Sequence, residues 1–355
     1  MAEILGVGLS HYPPLCTPDE MMSGILRITL KDPGIPEALK SPQNWPAAMR
    51  EEWGDDQGTA AAGRHRAALV EQFRRVRKAI DDFKPDVVLI WGDDQYENFK
   101  EDVIPPFTVL AYDDMDLYPW RHAMSSSMMK GKPNAWGEGP EKFYRLKGRR
   151  DIAKHLTTGL IEQGFDIAYA YKPLHHESLA HAFTNAVLYL DYDRKGWDYP
   201  TIAVPINCYG RKVISARGFL TNMQDKLDFD PPGPSPARCM DMGAATARVL
   251  RDSPWRVAVV ASSSWSHAFL CDGTSHLRPE TAADRALYKA LTAGDYDYWH
   301  QQTTGDFEAA GQQELLNWCP LLGAMRELKA ELKWSSFTET HVFNSNKVFA
   351  EYRVV

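Results

Sequence analysis

A regular alternation of short apolar runs with longer amphipathic segments constrains the fold of this chain more than any other feature. The runs that have the length of buried strands cover residues 4–10, 86–91, 165–171, 201–208 and 256–264. The segments between them predict helices over residues 63–83, 149–164, 176–190 and 239–253. This alternation predicts an α/β fold in which a central, mostly parallel sheet is flanked by helices.

The whole chain, residues 1–355, is predicted to form one domain. Residues 16–60 look like a long loop with short helices, and the proline-rich stretch over residues 228–239 is too short to separate two domains. Residues 113–147 combine proline, glycine, methionine and aromatic side chains without a clear period. A loop of this length in a compact domain is more often a lid than a linker, so we expect it to cover an active-site cleft.

Composition removes several classes of function. A net charge of −7 argues against nucleic acid as a partner, because phosphate binding needs a concentrated basic surface. No apolar run approaches the ~18 residues that span a bilayer, and the start, MAEILGVGLS, lacks the basic residues and cleavage site of a secretory signal. The five cysteines are scattered without a CxxC pair, which fits reduced thiols. We therefore expect a cytoplasmic protein without a membrane partner.

Polar side chains follow four of the predicted strands. They supply imidazole, carboxylate and amide groups from His11, Asp93, Asp94, Gln95, His175, His176 and His267. Because ligands bind beyond the carboxyl ends of the strands in such sheets, we expect these groups to meet in one cleft. For Asp93 and Asp94, a structural role as caps of backbone amides stays open.

A carboxylate also interrupts a strongly apolar helical face in the stretch AAGQQELLNWCPLLGAMREL, where Glu314 precedes Leu315. A buried glutamate is costly unless it is paired or binds a metal, whereas an exposed one at a helix start is favoured by the helix dipole. Periodicity leaves both interpretations open. The chain has no HExxH, P-loop or GxGxxG motif, and no GxSxG nucleophile elbow, so a serine hydrolase is a weak alternative.

Taken in order, the segments resemble the class III (type II) extradiol ring-cleavage dioxygenases, the superfamily of the protocatechuate 4,5-dioxygenase β subunit. GVGLSHYPPL is similar to the opening strand whose histidine binds iron, which implies that role for His11. GQQELLNWCPLLGAM resembles the helix that supplies the iron-binding carboxylate, here Glu314. SSSWSHAF resembles the segment of the catalytic acid/base, here His267, and PPGPSPARCMDMGAATARVL resembles a structural loop and helix.

Two more segments resemble parts of the family's substrate site. LHHESLAHAF is similar to the segment that holds a histidine near the substrate hydroxyls. His176 is the better match, which implies a catalytic role in which it hydrogen-bonds a hydroxyl and helps it to ionise, and His175 is taken as substrate-binding. HVFNSNKVFAEY is similar to a segment that borders the active site, which implies that Ser345 and Asn346 line it.

The chain departs from the family in WGDDQYENF. When Phe99 is aligned with the family, Gln95 stands where the protocatechuate-type enzymes have their second iron-binding histidine. The sequence Gly-Asp-Asp-Gln looks closer to the methylgallate-cleaving branch. Gln95 is the preferred ligand, through its amide oxygen, and Asp94 is then a substrate-binding group. Asp94 as the ligand, or another group such as His65 or water, remain open alternatives.

The resemblance implies an Fe(II) enzyme that uses O2 to open the ring of a catechol- or gallate-type aromatic diol next to the diol. Two alternatives stay open, a non-catalytic or partner subunit with a degraded metal site and a relative that cleaves aminophenols. The resemblance is compatible with a homodimer and with a small second subunit. The insert over residues 113–147 is expected to close over the ring and bind a carboxylate, or else to be an exposed variable loop. The side chains that would contact the substrate are Tyr118, Trp120, Arg121, Trp136 and Lys147.

Overall fold

The structure, a computed structural model, describes residues 3–123, 129–212 and 228–354. Its strands are β1 (Ile4–Leu9), β2 (Val87–Asp93), β3 (Thr108–Leu110), β4 (Met115–Leu117), β5 (Tyr144–Leu146), β6 (Ala168–Ala170), β7 (Thr201–Ile206), β8 (Val257–Ser262), β9 (Glu331–Thr338) and β10 (Lys347–Arg353). Within the described ranges, eight strands form one sheet in the order β6-β3-β7-β2-β8-β1-β10-β9, and β4 pairs with β5 separately.

The helices are α1 (Gly24–Thr29), α2 (Ala47–Trp53), α3 (Thr59–Phe83), α4 (Pro119–Ala123), α5 (Arg150–Glu162), α6 (His181–Leu190), α7 (Pro236–Arg251), α8 (Thr281–Ala293), α9 (Tyr296–His300), α10 (Thr304–Ala309) and α11 (Trp318–Glu327). A 3-10 turn over Gln313–Asn317 leads directly into α11. In the described part of the chain, no helix combines the length and the apolar character that a membrane crossing requires.

The four central strands, β7, β2, β8 and β1, run parallel to one another. They are buried along their whole length, because helices cover both faces of the sheet. Successive side chains of β2 alternate between the faces: Leu89 packs with the apolar side chains of α5, α7 and α11, and Ile90 packs with those of α3 and α6. The predicted α/β fold with a mostly parallel central sheet flanked by helices is confirmed.

A glycine in β1 sets how closely α11 approaches the sheet. A Cβ built at Gly8 would lie 2.2 Å from the Trp318 ring, so a larger residue would push this helix away. Trp318 is the first residue of α11 and follows the 3-10 turn over Gln313–Asn317. The glycine therefore brings that turn close to the carboxyl end of β1.

The predicted elements agree with the structure at the centre of the sheet and differ at its edges. The strand predicted over 165–171 is only Ala168–Ala170, at the sheet edge, and the helix predicted over 176–190 begins at His181. β3, β4, β5, β9 and β10 lie outside the five strands predicted from apolar runs.

Part of the 113–147 insert forms the β4–β5 pair and α4, and residues 124–128 lie outside the described residues. The Trp120 indole is buried and donates to Glu138, while Trp136 packs against Tyr192 with the Arg194 guanidinium 3.9 Å from its ring centre. These contacts anchor the insert beside the C-terminal end of α6. Its role as a lid stays a prediction.

Candidate metal centre

Three neighbouring strands end on one side of the sheet and bring polar residues together. β2, β8 and β1 are adjacent and parallel, so Asp93 at the end of β2 lies near His11, which follows β1. The 3-10 turn before α11 adds Glu314, and the first residue of α6 adds His181. Each of these four groups is a side chain that binds divalent metals.

The distances between His11, Asp93 and His181 are short enough for one cation to contact all three, and Glu314 lies beside His11. His11 Nε2 lies 3.7 Å from Glu314 Oε2 and 3.9 Å from Asp93 Oδ1. His181 Nε2 lies 3.9 Å from Asp93 Oδ2, and one ligand atom each of His11, Asp93 and His181 fall within 4.8 Å of one another.

Hydrogen bonds fix which nitrogen of each imidazole faces the centre. The Ser262 hydroxyl donates to Ala182 O at 2.8 Å, so its oxygen accepts from His11 Nδ1 at 3.2 Å. His11 Nε2 is then left without a hydrogen and presents a lone pair to two carboxylates. His181 Nδ1 lies 2.8 Å from Glu97 Oε2, which leaves its Nε2 for the centre. A carboxylate behind an imidazole is the usual support of a metal-binding histidine.

Three buried atoms at this centre have no hydrogen-bond partner among the residues that the structure describes: His11 Nε2, Asp93 Oδ2 and Glu314 Oε2. Such atoms are rare in folded proteins, because leaving a buried polar group unpaired costs about 1–3 kcal/mol. His11 Nε2 lies 3.7 Å from Glu314 Oε2, and Asp93 Oδ2 lies 3.9 Å from His181 Nε2, so a cation bound among these side chains would satisfy the unpaired acceptors. A divalent metal fits this donor set of nitrogen and oxygen atoms.

The charges also favour a cation. Burial, followed by the neighbouring carboxylate Asp93, raises the pKa of Glu314 well above its ordinary value. Burial likewise raises the pKa of Asp93 to about 6. Burial and the nearby His181 lower the pKa of His11, which keeps it neutral. Burial opposes the charged form of His181, but Glu97 outweighs it and raises the pKa of His181 to about 10.

His267 lies beside this centre, in the loop after β8. Its Nε2 is 3.2 Å from Glu314 Oε1, and its backbone N–H donates to Gly311 O at 2.7 Å. Burial, and then the Lys347 ammonium, lower the pKa of His267 to about 3, so the imidazole is neutral. Gly311 has a φ of +65°, and a Cβ there would lie 2.6 Å from His267 O. Only glycine allows this close approach without strain.

Asp94 and Gln95, in the segment WGDDQYENF that departs from the family, have different contacts. Gln95 Nε2 donates to Glu314 Oε1 at 2.7 Å, so in this structure the amide holds the carboxylate in place. Asp94 accepts from the backbone N–H groups of residues 97–99 and from the Tyr209 hydroxyl, which is the capping role left open in the sequence. His65 packs against Tyr12 and Phe343 and is not among the side chains grouped at His11.

The remaining candidates lie around the centre in different ways. Ser345 forms a backbone bridge with His267, which places it next to the centre. Both hydrogens of the Asn346 amide are engaged, by Asp284 and Thr281. His175 pairs with Asp102 at 2.8 Å, and His176 Nδ1 lies 3.1 Å from Ser178 O. The catalytic role of His176, the metal-binding role of Gln95 and the substrate-binding roles of four residues stay predictions; these four are Asp94, His175, Ser345 and Asn346.

Sequence reasoning missed His181 as a member of the centre, and it placed Asp93 at the edge of the cleft without assigning it to the metal. His181 does not follow a strand but begins a helix, so the rule of polar strand ends does not reach it. The third imidazole in LHHESLAHAF, at the start of the apolar helix pattern, was the available signal.

Comparisons with known proteins agree with this description. Residues 229–350 match the family model described as the catalytic LigB subunit of aromatic ring-opening dioxygenase. A 2,3-dihydroxyphenylpropionate/2,3-dihydroxicinnamic acid 1,2-dioxygenase of Photorhabdus laumondii is 24% identical over 199 residues, which are 55% of this chain and 47% of that protein. A second such enzyme, from Pseudomonas putida, is 24% identical over 200 residues, 56% of this chain and 49% of that protein.

The chain thus spans about half the length of the curated relatives it matches. A crystal structure of an uncharacterized protein from Escherichia coli superposes with a TM-score of 0.45 at 12% identity, covering 79% of this chain and 91% of that one. The segment that matches the family model, residues 229–350, includes His267, Glu314 and Ser345. Over residues 229–350 the chain is therefore similar to the LigB family, the class III extradiol dioxygenases, and the resemblance predicted from the sequence is confirmed.

Proposed function

We propose that this protein is an Fe(II)-dependent dioxygenase that opens the ring of a catechol- or gallate-type aromatic diol next to the diol, with O2 as the co-substrate. The observation that carries the proposal is the convergence of three buried, unpartnered acceptor atoms from His11, Asp93 and Glu314. The family match and the names of the two curated relatives support it.

Four residues are assigned to the metal: His11, Asp93, His181 and Glu314. Metal binding requires His181 to release the proton that Glu97 helps it hold; the two neutral imidazoles and two carboxylates then carry a charge of −2, which balances a divalent cation in a buried site. Ferrous iron held there would supply the redox chemistry that couples an aromatic diol to O2. A second carboxylate, from Asp93, would also stabilise the ferric relative to the ferrous state, because it adds a negative charge to the ligand set.

The other residues act on protons and on orientation. His267 is neutral and buried, so it can accept a proton from a diol hydroxyl and return it to the oxygen that leaves, as a general base and then a general acid. Gln95 keeps Glu314 Oε1 occupied and turns Oε2 towards His11. The depth of the centre, where His11 and Asp93 are fully buried, limits access of water.

The test is anaerobic loading of the purified protein with Fe(II), followed by aerated assays with catechol, gallate, 2,3-dihydroxyphenylpropionate and 2-aminophenol. We expect consumption of one O2 per diol and a yellow ring-opened product. The same protein loaded with redox-inert Zn(II) is the matched control and should consume no O2. Protein that has bound one Fe(II) but consumes no O2 with any of these compounds would refute the proposal.

A second candidate is a non-catalytic member of the family, because Gln95 stands where the protocatechuate-type enzymes have an iron-binding histidine and its amide donates to Glu314 instead. This candidate predicts metal binding without turnover. Activity only on 2-aminophenol would instead favour the aminophenol-cleaving alternative.

A further inference from the structure

We propose that Asp284 is a positioning residue that sets the distance between His267 and Glu314; the inference rests on the proposed function. Asp284 lies in the first turn of α8, is fully buried, and belongs to none of the segments that follow the central strands. Its side chain accepts hydrogen bonds from three loops that carry residues of the candidate site.

The carboxylate holds three loops at once. Its oxygens accept from Ser266 N at 3.2 Å, from Gln312 Nε2 at 2.6 Å and from Asn346 Nδ2 at 2.8 Å. Ser266 directly precedes His267, Gln312 stands two positions before Glu314, and Asn346 follows Ser345. Each donor is thus one or two residues from a side chain of the candidate site.

The same loops are also bonded to one another. The Ser266 hydroxyl donates to Ala310 O at 2.6 Å, and Trp265 N donates to Asn346 O at 3.1 Å. Together with the bond from His267 N to Gly311 O, these contacts join the three loops into one frame around Asp284. The 3.2 Å distance between His267 Nε2 and Glu314 Oε1 is measured across this frame.

The chemistry of the three partners requires a carboxylate. All three are donors, so only a group with two accepting oxygens satisfies them together, and an asparagine would turn its own NH2 towards one of them. The partners are also neutral, so the buried charge has a desolvation cost that they offset only in part. The contribution of this carboxylate is therefore the fixed geometry of the three loops rather than a gain in stability.

The expected effect is on turnover and on metal affinity, because a misplacement of about 1 Å at a catalytic group can cost ~100-fold in rate. We expect Asp284→Asn to lower kcat at least ~10-fold with a change in KM below about 3-fold. Because Gln312 anchors the turn that carries Glu314, the Zn(II) dissociation constant should also rise by about 10-fold, the scale of a lost outer partner.

Asp191→Asn is the matched control. Asp191 is also a buried aspartate that accepts a backbone hydrogen bond, from Gly196 N at 2.8 Å, but it follows the end of α6 opposite to His181. This variant should lose thermal stability while its kcat and its Zn(II) dissociation constant stay within about 2-fold of wild type. If Asp284 were merely structural, the two variants would both lose stability but would not differ in kcat or in Zn(II) affinity.

Equal kcat and equal Zn(II) affinity in folded Asp284→Asn and Asp191→Asn would overturn the proposal. If Asp284→Asn does not fold, Gln312→Met removes one of the three donors without a new polar group, and the same comparison decides. A wild-type protein that is inactive on every diol would refute the proposed function, whereas the Zn(II) titrations would still decide the role of Asp284.

Discussion

Replacement of Glu314 by glutamine separates a metal ligand from a structural acid, because the two roles predict opposite effects on the metal-free protein. The substitution keeps the shape of the side chain and removes one buried negative charge. Its amide oxygen can still accept from Gln95, and its NH2 can face the lone pair of His11 Nε2, which lies 3.7 Å from Glu314 Oε2. We therefore expect the metal-free variant to be at least as stable as the wild type.

With metal bound, the Glu314→Gln variant should instead be less stable than the wild type. A metal present at 100 times its dissociation constant stabilises the fold by about 2.7 kcal/mol. With an unfolding entropy of about 2.1 cal/mol/K per residue, this raises the melting midpoint of a chain of 355 residues by roughly 3–4 °C. If the variant binds ~100-fold more weakly, the same metal concentration contributes only about 0.4 kcal/mol, or less than ~1 °C.

Anaerobic thermal unfolding with and without Fe(II), Mn(II) and Zn(II) measures both effects. Glu327→Gln is the control, because Glu327 is a carboxylate of α11 that pairs with Arg248 at 2.9 Å outside the centre, and its variant should keep the full metal shift. A Glu314→Gln protein with the wild-type metal shift, or one that melts several degrees lower without metal, would contradict the reasoning.

Three further substitutions test the surroundings of the centre. His267→Ala should keep the metal-induced rise in melting midpoint but lose at least ~100-fold in turnover, the scale of a lost general acid or base; wild-type turnover would remove this assignment. Glu97→Gln should weaken Zn(II) binding about 10–100-fold, because Glu97 orients His181; unchanged affinity would exclude His181 as a ligand. Gly311→Ala should lower both the melting midpoint and turnover, because its Cβ would meet His267 O, and a variant that melts like the wild type would show that the loop can relax.

The sequence predicts the centre of the sheet well, because buried strands need continuous apolar runs. β8 was predicted over 256–264 and spans Val257–Ser262, and α5 ends just before Gly164, which has a φ of +83°. The outer strand β9 carries no such run, since its residues are exposed or half-buried. Short edge strands with mixed exposure leave no periodic pattern that would identify them.

The candidate site was predictable only in part, for a geometric reason. Successive strand residues face opposite sides, so the position at which β2 ends decides whether Asp93 or Asp94 points into the centre. The strand includes Asp93, which faces the imidazoles, and Asp94 turns back to cap the following amides. Apolar periodicity does not locate the end of a strand to within one residue. It also does not show that His181, at the start of α6, approaches the same centre.

The hydrogen bond from Ser10 Oγ to Val348 O joins positions 338 residues apart, next to the metal centre. The centre draws its side chains from both ends of the chain and from several points between, so no early fragment of a growing polypeptide contains it. Such a distant pairing is slow to form during folding. The complete metal centre should therefore form only after these long-range contacts, so metal binding is expected to follow the folding of the central sheet.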